Sequence, residues 1–336
     1  LKLDAVIIKI LKFMGLAIVG LVLLVIIAGV LFVNFSPQFG QSPSEEQLVE
    51  YALADNHQNG RFVNQLPTTL AAPSFGVMMD FFKNPPGRRP SQNIEVLSVD
   101  SMDIVSHDQQ MTQLTWFGHS AFLLQMDGKT ILLDPMFGST PAPHPLLGNK
   151  RYSKELPIAI EQLPHIDAII ISHDHYDHLD YGSIQKLKGK VDKYFVPLGV
   201  GNHLIKWGVN PDLIEEFNWW ESSMLDNIKL VSTPARHFSG RGLNDRSTTL
   251  WCSWVIQGAN DNIYFSGDGG YGPHFKEIGE QYGPFDISLM ECGQYNENWK
   301  LIHMMPEETA QAAVDLNSKV MMPIHWGAFT LALHDW

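Results

Sequence analysis

Cysteine is nearly missing from this chain: Cys252 and Cys292 are the only two in 336 residues. Two thiols exclude a disulfide-stapled scaffold and a four-cysteine metal site, and each is more often a small buried hydrophobe than half of a bridge. Positive charge is also scarce, with 23 Lys and Arg against 36 Asp and Glu and a formal net charge of −13. That balance excludes a nucleic-acid-binding face, which needs clustered cations to displace counterions. Small molecules, lipids and proteins remain as partners, and nothing in the sequence sets the oligomeric state. Internal repeats and low-complexity tracts are not evident. What the chain does have is 45% hydrophobic residues, enough for a substantial core, and an excess of histidine, 14 in all.

Charge is missing altogether from Phe13 to Phe35, a run dominated by Val, Ile and Leu. As a helix rising about 1.5 Å per residue it spans roughly 34 Å, enough to cross the hydrocarbon core of a bilayer. A core helix would show polar positions at helical spacing, and a cleaved signal would end in small residues, unlike Phe32-Val33-Asn34-Phe35-Ser36. Residues 13–35 are therefore expected to be a single-pass transmembrane anchor behind a short cytoplasmic leader, residues 1–12. Lys2, Lys9 and Lys12 precede the span and no Lys or Arg follows it until Arg61. The positive-inside rule then puts the N-terminus in the cytoplasm and the rest outside, in the periplasm if the source is bacterial.

Residues 36–110 read as a Pro-punctuated extension that packs on the main domain, with one short helix around Glu45 to Leu53. From Met111 to Trp336 short apolar runs alternate with Gly and Asp. Strands are expected at 113–117, 121–125, 130–133, 168–171, 194–196, 229–232, 250–257, 262–265, 287–290 and 320–323. Asp127-Gly128 marks a hairpin, and helices are expected at 181–187 and 306–316. The class is mixed α/β.

The strand ending at Ile171 runs into Ser172-His173-Asp174-His175-Tyr176-Asp177-His178-Leu179-Asp180. Imidazole nitrogen and carboxylate oxygen are ligands suited to Zn²⁺, and a short loop can aim alternate side chains at two neighbouring ions. A capping turn rich in His and Asp is the bland alternative, and chance rarely produces it at this spacing. Three further candidates follow expected strands: His237 after Val231-Ser232-Thr233, Asp268 in Ser266-Gly267-Asp268-Gly269, and His325 after Met322-Pro323-Ile324. Singly each is weak; together they complete a two-metal set.

With these motifs the sequence resembles the metallo-β-lactamase superfamily. The resemblance implies a four-layer αβ/βα sandwich carrying two Zn²⁺. His173, His175 and His237 would lie on one ion, Asp177, His178 and His325 on the other, and Asp268 between them. Trp116-Phe117-Gly118-His119-Ser120, Leu133-Asp134-Pro135, Gly267-Asp268-Gly269-Gly270-Tyr271 and Ile324-His325-Trp326-Gly327 narrow it. Together they are similar to the N-acylphosphatidylethanolamine-hydrolysing phospholipase D family, whose members continue some way past His-Trp-Gly.

Two zinc ions would bring the pKa of a shared water toward neutrality and neutralise charge on a phosphoryl group, so a metal-bridging hydroxide is the expected nucleophile. Asp268 and Asp177 are the expected catalytic carboxylates, and Asp134 is either a partner orienting a ligand imidazole or a strand-end turn residue before Pro135. By the resemblance, Tyr176 and His303 contact a phospholipid substrate. Trp219, Trp220, Trp251 and Trp254 are candidates for an acyl groove or for core. The expected activity is a membrane-anchored zinc phosphodiesterase of phospholipase D type, yielding phosphatidic acid and an N-acylethanolamine. A lactonase or another hydrolase on the same site is the alternative, and a non-catalytic zinc-binding membrane receptor the alternative of another class.

Overall fold

The computed structural model describes residues 2–69, 74–83, 85 and 87–336, so residues 70–73, 84 and 86 of the extension lie outside it. The chain divides into two compact units, Leu1–Phe39 and Gly40–Trp336. The first is a helix from Lys2 to Phe35 followed by a single 3-10 turn, Pro37–Phe39. The helix starts well before Phe13 because no Pro or Gly interrupts Lys2–Met14, and Lys9 and Lys12 are good helix formers. Val6–Phe35 is long and apolar enough to cross a membrane, and none of the most apolar part is buried within the unit.

In the second unit, twelve strands form two six-stranded sheets. The first holds, in both chain and spatial order, Gln113–Trp116, Phe122–Met126, Lys129–Leu133, Ile166–Ile170, Val191–Pro197 and Ile214–Phe217. The second holds Ser222–Leu225, Ile228–Thr233, Ser253–Gln257, Asn262–Phe265, Ile287–Glu291 and Met321–Ile324 in the same sequential manner. Neighbours pair antiparallel within the first three strands of the first sheet and the first four of the second, and parallel in the rest of each sheet. At the expected hairpin Asp127 and Gly128 take φ of +48° and +75°, the two left-handed positions of a tight turn.

Alternation along the strands separates three cores and so defines four layers. Phe122, Leu124, Ile131, Leu133 and Ile170 face Leu230, Trp254, Ile256 and Phe265 between the sheets. Their strand neighbours Leu123, Leu132, Ile169 and Val196 point outward onto Ile184, Leu187 and Leu204, from helices Tyr181–Leu187 and Gly201–Lys206. On the far side Val255, Tyr264 and Met290 pack on Phe275, Ile278, Ala312 and Leu316, around helices His274–Tyr282 and Pro306–Asp315. Central strands buried on both faces carry near-continuous apolar runs, which made them readable in sequence. The structure is thus the αβ/βα sandwich.

Several elements differ from expectation. Residues 250–252 are not strand: Leu250 N donates to Leu198 O (2.8 Å) and Cys252 N to Ser172 O (2.9 Å), so this stretch crosses to the first sheet before Ser253 joins the second. Strands Ile214–Phe217 and Ser222–Leu225 were not expected, since Glu215, Glu216 and a Ser pair interrupt any apolar pattern at these sheet edges. Helices Phe75–Phe82, Ser101–Val105, Gly201–Lys206 and His274–Tyr282 were also missed. Trp219, Trp251 and Trp254 are buried, which makes them core. Both cysteines are free.

The extension contributes to this core from Gly40 onward. Ser44 caps helix Glu45–Tyr51 through a capping box with Gln47. Tyr51 and the hairpin residue Phe62 then bury among the inter-sheet residues, and Phe62 N donates to Ser247 O at 2.8 Å.

Candidate metal centre

All the candidate ligands sit where strands end at one edge of the sandwich, the usual place for a site in sheets with parallel strands. Asp134 follows Lys129–Leu133, the His-rich loop follows Ile166–Ile170, His237 follows Ile228–Thr233, Asp268 follows Asn262–Phe265 and His325 follows Met321–Ile324. Two glycines let these loops approach closely. Gly267 has φ +56° and a Cβ there would lie 2.6 Å from Ser172 Cβ; a Cβ on Gly293 would lie 1.8 Å from His325 O.

Five overlapping groups of ligand atoms result among the described residues, each within 4.8 Å of one another: His173, His175 and His237; His173, His178 and Asp268; His119, Asp177, His178 and His325; His237, Asp268 and His303; and Glu291, His303 and His325. His175 Nδ1 lies 2.9 Å from His173 Nε2 and 3.2 Å from His237 Nε2. Asp268 Oδ2 occupies the middle, 3.2 Å from His178 Nε2 and 3.9 Å from His173 Nε2 and His237 Nε2. Its Oδ1 is 3.0 Å from His325 Nδ1.

The donor set fits a metal. His237 Nδ1 donates to Ile302 O (3.0 Å), which leaves Nε2 as a lone pair facing two other imidazoles. His178 Nδ1 is held by Asp134 Oδ2 at 2.6 Å, and its buried Nε2 makes no hydrogen bond among the described residues. Burial and then neighbouring imidazoles push His173 well below the ordinary imidazole value, and burial pushes His237 the same way. Both are therefore neutral, as ligands must be. Burial would raise Asp177 and Asp268, but His178 above all, with His325, holds both well below the carboxylate range and so ionised. Burial also opposes charge on His178, yet Asp268, Asp177 and Asp134 outweigh it and raise its pKa well above 6.5. The same negative field attracts a cation.

The loop is braced from below. Asp134, fully buried, accepts from Ser172 N (2.7 Å) and Ser172 Oγ as well as from His178. Asp174 is not in the ligand groups; it accepts from Gly240 N (2.8 Å), Thr249 Oγ1 (2.9 Å) and His203 Nε2 (3.1 Å). Asn64, from the extension, grips the backbone of His237 in both directions, at 2.8 and 3.0 Å. Asp134→Ala is expected to cost about 10- to 100-fold in metal affinity, the usual effect of removing such a partner. Metal retained during titration with a graded chelator checks it; unchanged retention would remove Asp134 from this role.

A cavity of about 830 Å³ opens over the cluster, lined by His175, Asp177, His237, Asp268, His303 and His325 together with Phe238, Arg246 and Trp299. His303 lines this cavity: its Nδ1 is 3.2 Å from the buried Glu291 Oε1, and its ring stacks on His325 at 5.3 Å. Tyr176 is not among the lining residues. Its hydroxyl donates to Arg241 O at 2.8 Å and its ring lies under the Arg241 guanidinium, so the substrate contact expected of it gains no support.

Sequence reasoning overlooked His119, fully buried, with Nε2 2.9 Å from Asp177 Oδ2 and its ring 4.1 Å from His325. The signal lay in the Gly118-His119-Ser120 segment, to which no role was given. Glu291 was overlooked as well; an acid ending the apolar strand Ile287–Glu291 was its only trace.

A beta-lactamase superfamily domain model matches residues 129–326. An uncharacterized protein of Mycobacterium tuberculosis is 40% identical over 289 residues, 84% of this chain and 76% of its own length. The N-acyl-phosphatidylethanolamine-hydrolyzing phospholipase D 1 of Caenorhabditis elegans is 33% identical over 242 residues, 68% of each chain. Among solved structures, an isothiocyanate hydrolase from Delia radicum gut bacteria is similar in fold, with a TM-score of 0.51 at 21% identity over 65% of this chain and 85% of that one.

Proposed function

The chain belongs to the beta-lactamase superfamily and is a metal-dependent hydrolase of it, and we propose that it is a membrane-anchored phosphodiesterase of phospholipase D type. The substrate would be N-acylphosphatidylethanolamine or a related phospholipid, split by water at the phosphorus–oxygen bond to phosphatidic acid and an N-acylethanolamine. The observation that carries this reading is the convergence of the seven candidate ligands in overlapping groups, five of which, His175, Asp177, His237, Asp268 and His325, line a large cavity together with Phe238, Trp299, Ile302 and Leu331. Relatives named for that activity support it.

His173, His175 and His237 would hold one Zn²⁺, Asp177, His178 and His325 the other, and Asp268 would reach both. Bound there, the ions supply Lewis acidity toward a phosphoryl oxygen and lower the pKa of water. Asp268 Oδ2, central among the imidazoles, orients the attacking water, and Asp177, tethered by His119, keeps its carboxylate facing the same space. His303, fixed through Nδ1 by Glu291, contacts the phosphoryl group from the cavity wall.

The assay that tests this measures zinc per chain and then hydrolysis of N-acylphosphatidylethanolamine, a simple phosphodiester and a lactone by detergent-solubilised protein. Two zinc ions and lipid cleavage are expected. Lactone turnover without phosphodiester turnover would sink the phospholipase reading, and zinc binding without hydrolysis would favour the receptor.

The Lys2–Phe35 helix would serve as the anchor, with Lys2, Lys9 and Lys12 cytoplasmic and the catalytic unit on the outer side. The full chain should sediment with membranes through a high-salt wash, and a chain beginning at Gly40 should move to the soluble fraction. Full-length protein released by salt alone would contradict a spanning helix.

A further inference from the structure

One cation in the cavity wall is unspent. Around the site, arginines are consumed by structure: Arg241 donates to Asp174 O and to Leu179 O (2.8 Å), Arg236 to Tyr271 O (3.0 Å) and Pro67 O (3.2 Å), and Arg151 to Phe117 O (2.9 Å) and Met136 O (2.6 Å). The guanidinium of Arg246 makes no hydrogen bond or ion pair among the described residues, although it lines the same cavity as His175, Asp177, His237 and Asp268. Its neighbour Asp245 forms no ion pair with it among the described residues; that carboxylate is turned to Arg241 N (3.0 Å) and Gly242 N (2.8 Å). The charged group acting on Arg246 is a second cation, Arg61. In a chain with 36 acidic residues against 23 basic ones, a cation paired with no carboxylate among the described residues, lining the same cavity as the candidate ligands, is suited to an anion.

The position is built rather than accidental. The Arg246 guanidinium lies 3.8 Å over the face of Phe238, whose ring packs 4.6 Å from that of His175 and 4.9 Å from that of His237. The cation is thus held one aromatic ring away from two candidate ligands, with its flat face occupied and its N–H edge without a hydrogen-bond partner among the described residues. Arg61 fixes the backbone beneath it, donating to Arg246 O and to Asn244 O. The loop closes tightly at Gly240, φ +138°, where a Cβ would lie 3.1 Å from Arg246 Cα. A guanidinium edge presented this way matches two oxygens of one phosphoryl group.

We propose that Arg246, seated on Phe238, grips the non-bridging phosphoryl oxygens of an anionic phosphodiester in the cavity that Asp268 also lines. This inference rests on the phosphodiesterase reading for its substrate class, but it is testable apart from it. Arg246 is a binding residue that sets selectivity for anions, and it takes no part in water attack.

The test is calorimetric titration of the zinc-loaded full chain in detergent with glycerophosphoethanolamine, a soluble phosphodiester, and separately with inorganic phosphate. Arg246→Ala should weaken the diester about 10- to 100-fold, the range for a charge-assisted hydrogen-bonded pair partly open to water, with zinc content and Tm unchanged. Arg246→Lys should recover only part of the loss, because a point charge lacks the fork. Equal diester binding by the wild type and Arg246→Ala, or no diester binding at all, overturns the proposal. Inorganic phosphate bound as tightly as the diester, and as dependent on Arg246, would make this a free-phosphate site and overturn the diester assignment. A wild type that binds the diester through Arg246 yet cleaves no phosphodiester leaves this inference standing and removes the proposed activity.

Discussion

Asp268→Asn is expected to lower kcat/KM by at least about a thousandfold, on the order of 4 kcal/mol of transition-state stabilisation, in a protein that still folds. The carboxylate is the shared element of the site: its Oδ2 lies within 3.9 Å of His173, His178 and His237, and its Oδ1 is 3.0 Å from His325. Asn keeps the volume and one oxygen but removes the charge that balances these imidazoles and would orient the attacking water. The turn should survive, because Gly267 and Gly269 rather than the carboxylate allow its close approach to Ser172 and Arg236. Steady-state kinetics with zinc content measured on the same sample checks this. A loss below tenfold with full metal would remove Asp268 from the central role.

Stripping the metal should abolish hydrolysis and lower the Tm of the catalytic unit by on the order of 10 °C. Mass action supplies the size: a ligand at about a thousand times its dissociation constant stabilises by about 4 kcal/mol, and each kcal/mol shifts a domain of this size by roughly 2–4 °C. The structural reason is the crowding of five imidazoles and two ionised carboxylates at contacts of 2.9–3.9 Å, four of the imidazole nitrogens facing one another or Asp268. Thermal unfolding with chelator, and again after zinc is restored, reads the effect. An unchanged midpoint after complete zinc removal would mean that this cluster is not where metal binds.

Much of the site was legible because its residues announce themselves locally. His173, His175, Asp177 and His178 lie within one loop, and no ordinary turn calls for that composition. His237, Asp268 and His325 were found because each ends an apolar strand, where sheet proteins place chemistry. His119 could not be read this way. It is isolated in sequence and reaches Asp177 only because the first hairpin folds beside the His-rich loop, its own backbone held at φ +58° by exchange of hydrogen bonds with Trp326 O and His325 N. For Tyr176 the family resemblance implied a substrate contact, whereas packing against Arg241 directs its hydroxyl to a backbone carbonyl. The strands at Ile214–Phe217 and Ser222–Leu225 escaped notice because sheet edges bury less and so constrain sequence less.

By itself, then, the sequence determined the elements whose physics is local: the uncharged helix, the central strands buried on both faces, the Asp-Gly hairpin and the metal-loving loop. Only the tertiary structure decided which residues support and complete that loop. Asp134 beneath His178 and Asn64 around His237 are joined across 44 and 173 residues, while Glu291 behind His303 and Arg246 on Phe238 are nearer in sequence and still meet only through the fold. Each partnership exists because burial forces a polar group to find a complement, or leaves one cation without any, and neither outcome has a signature within a short stretch of chain.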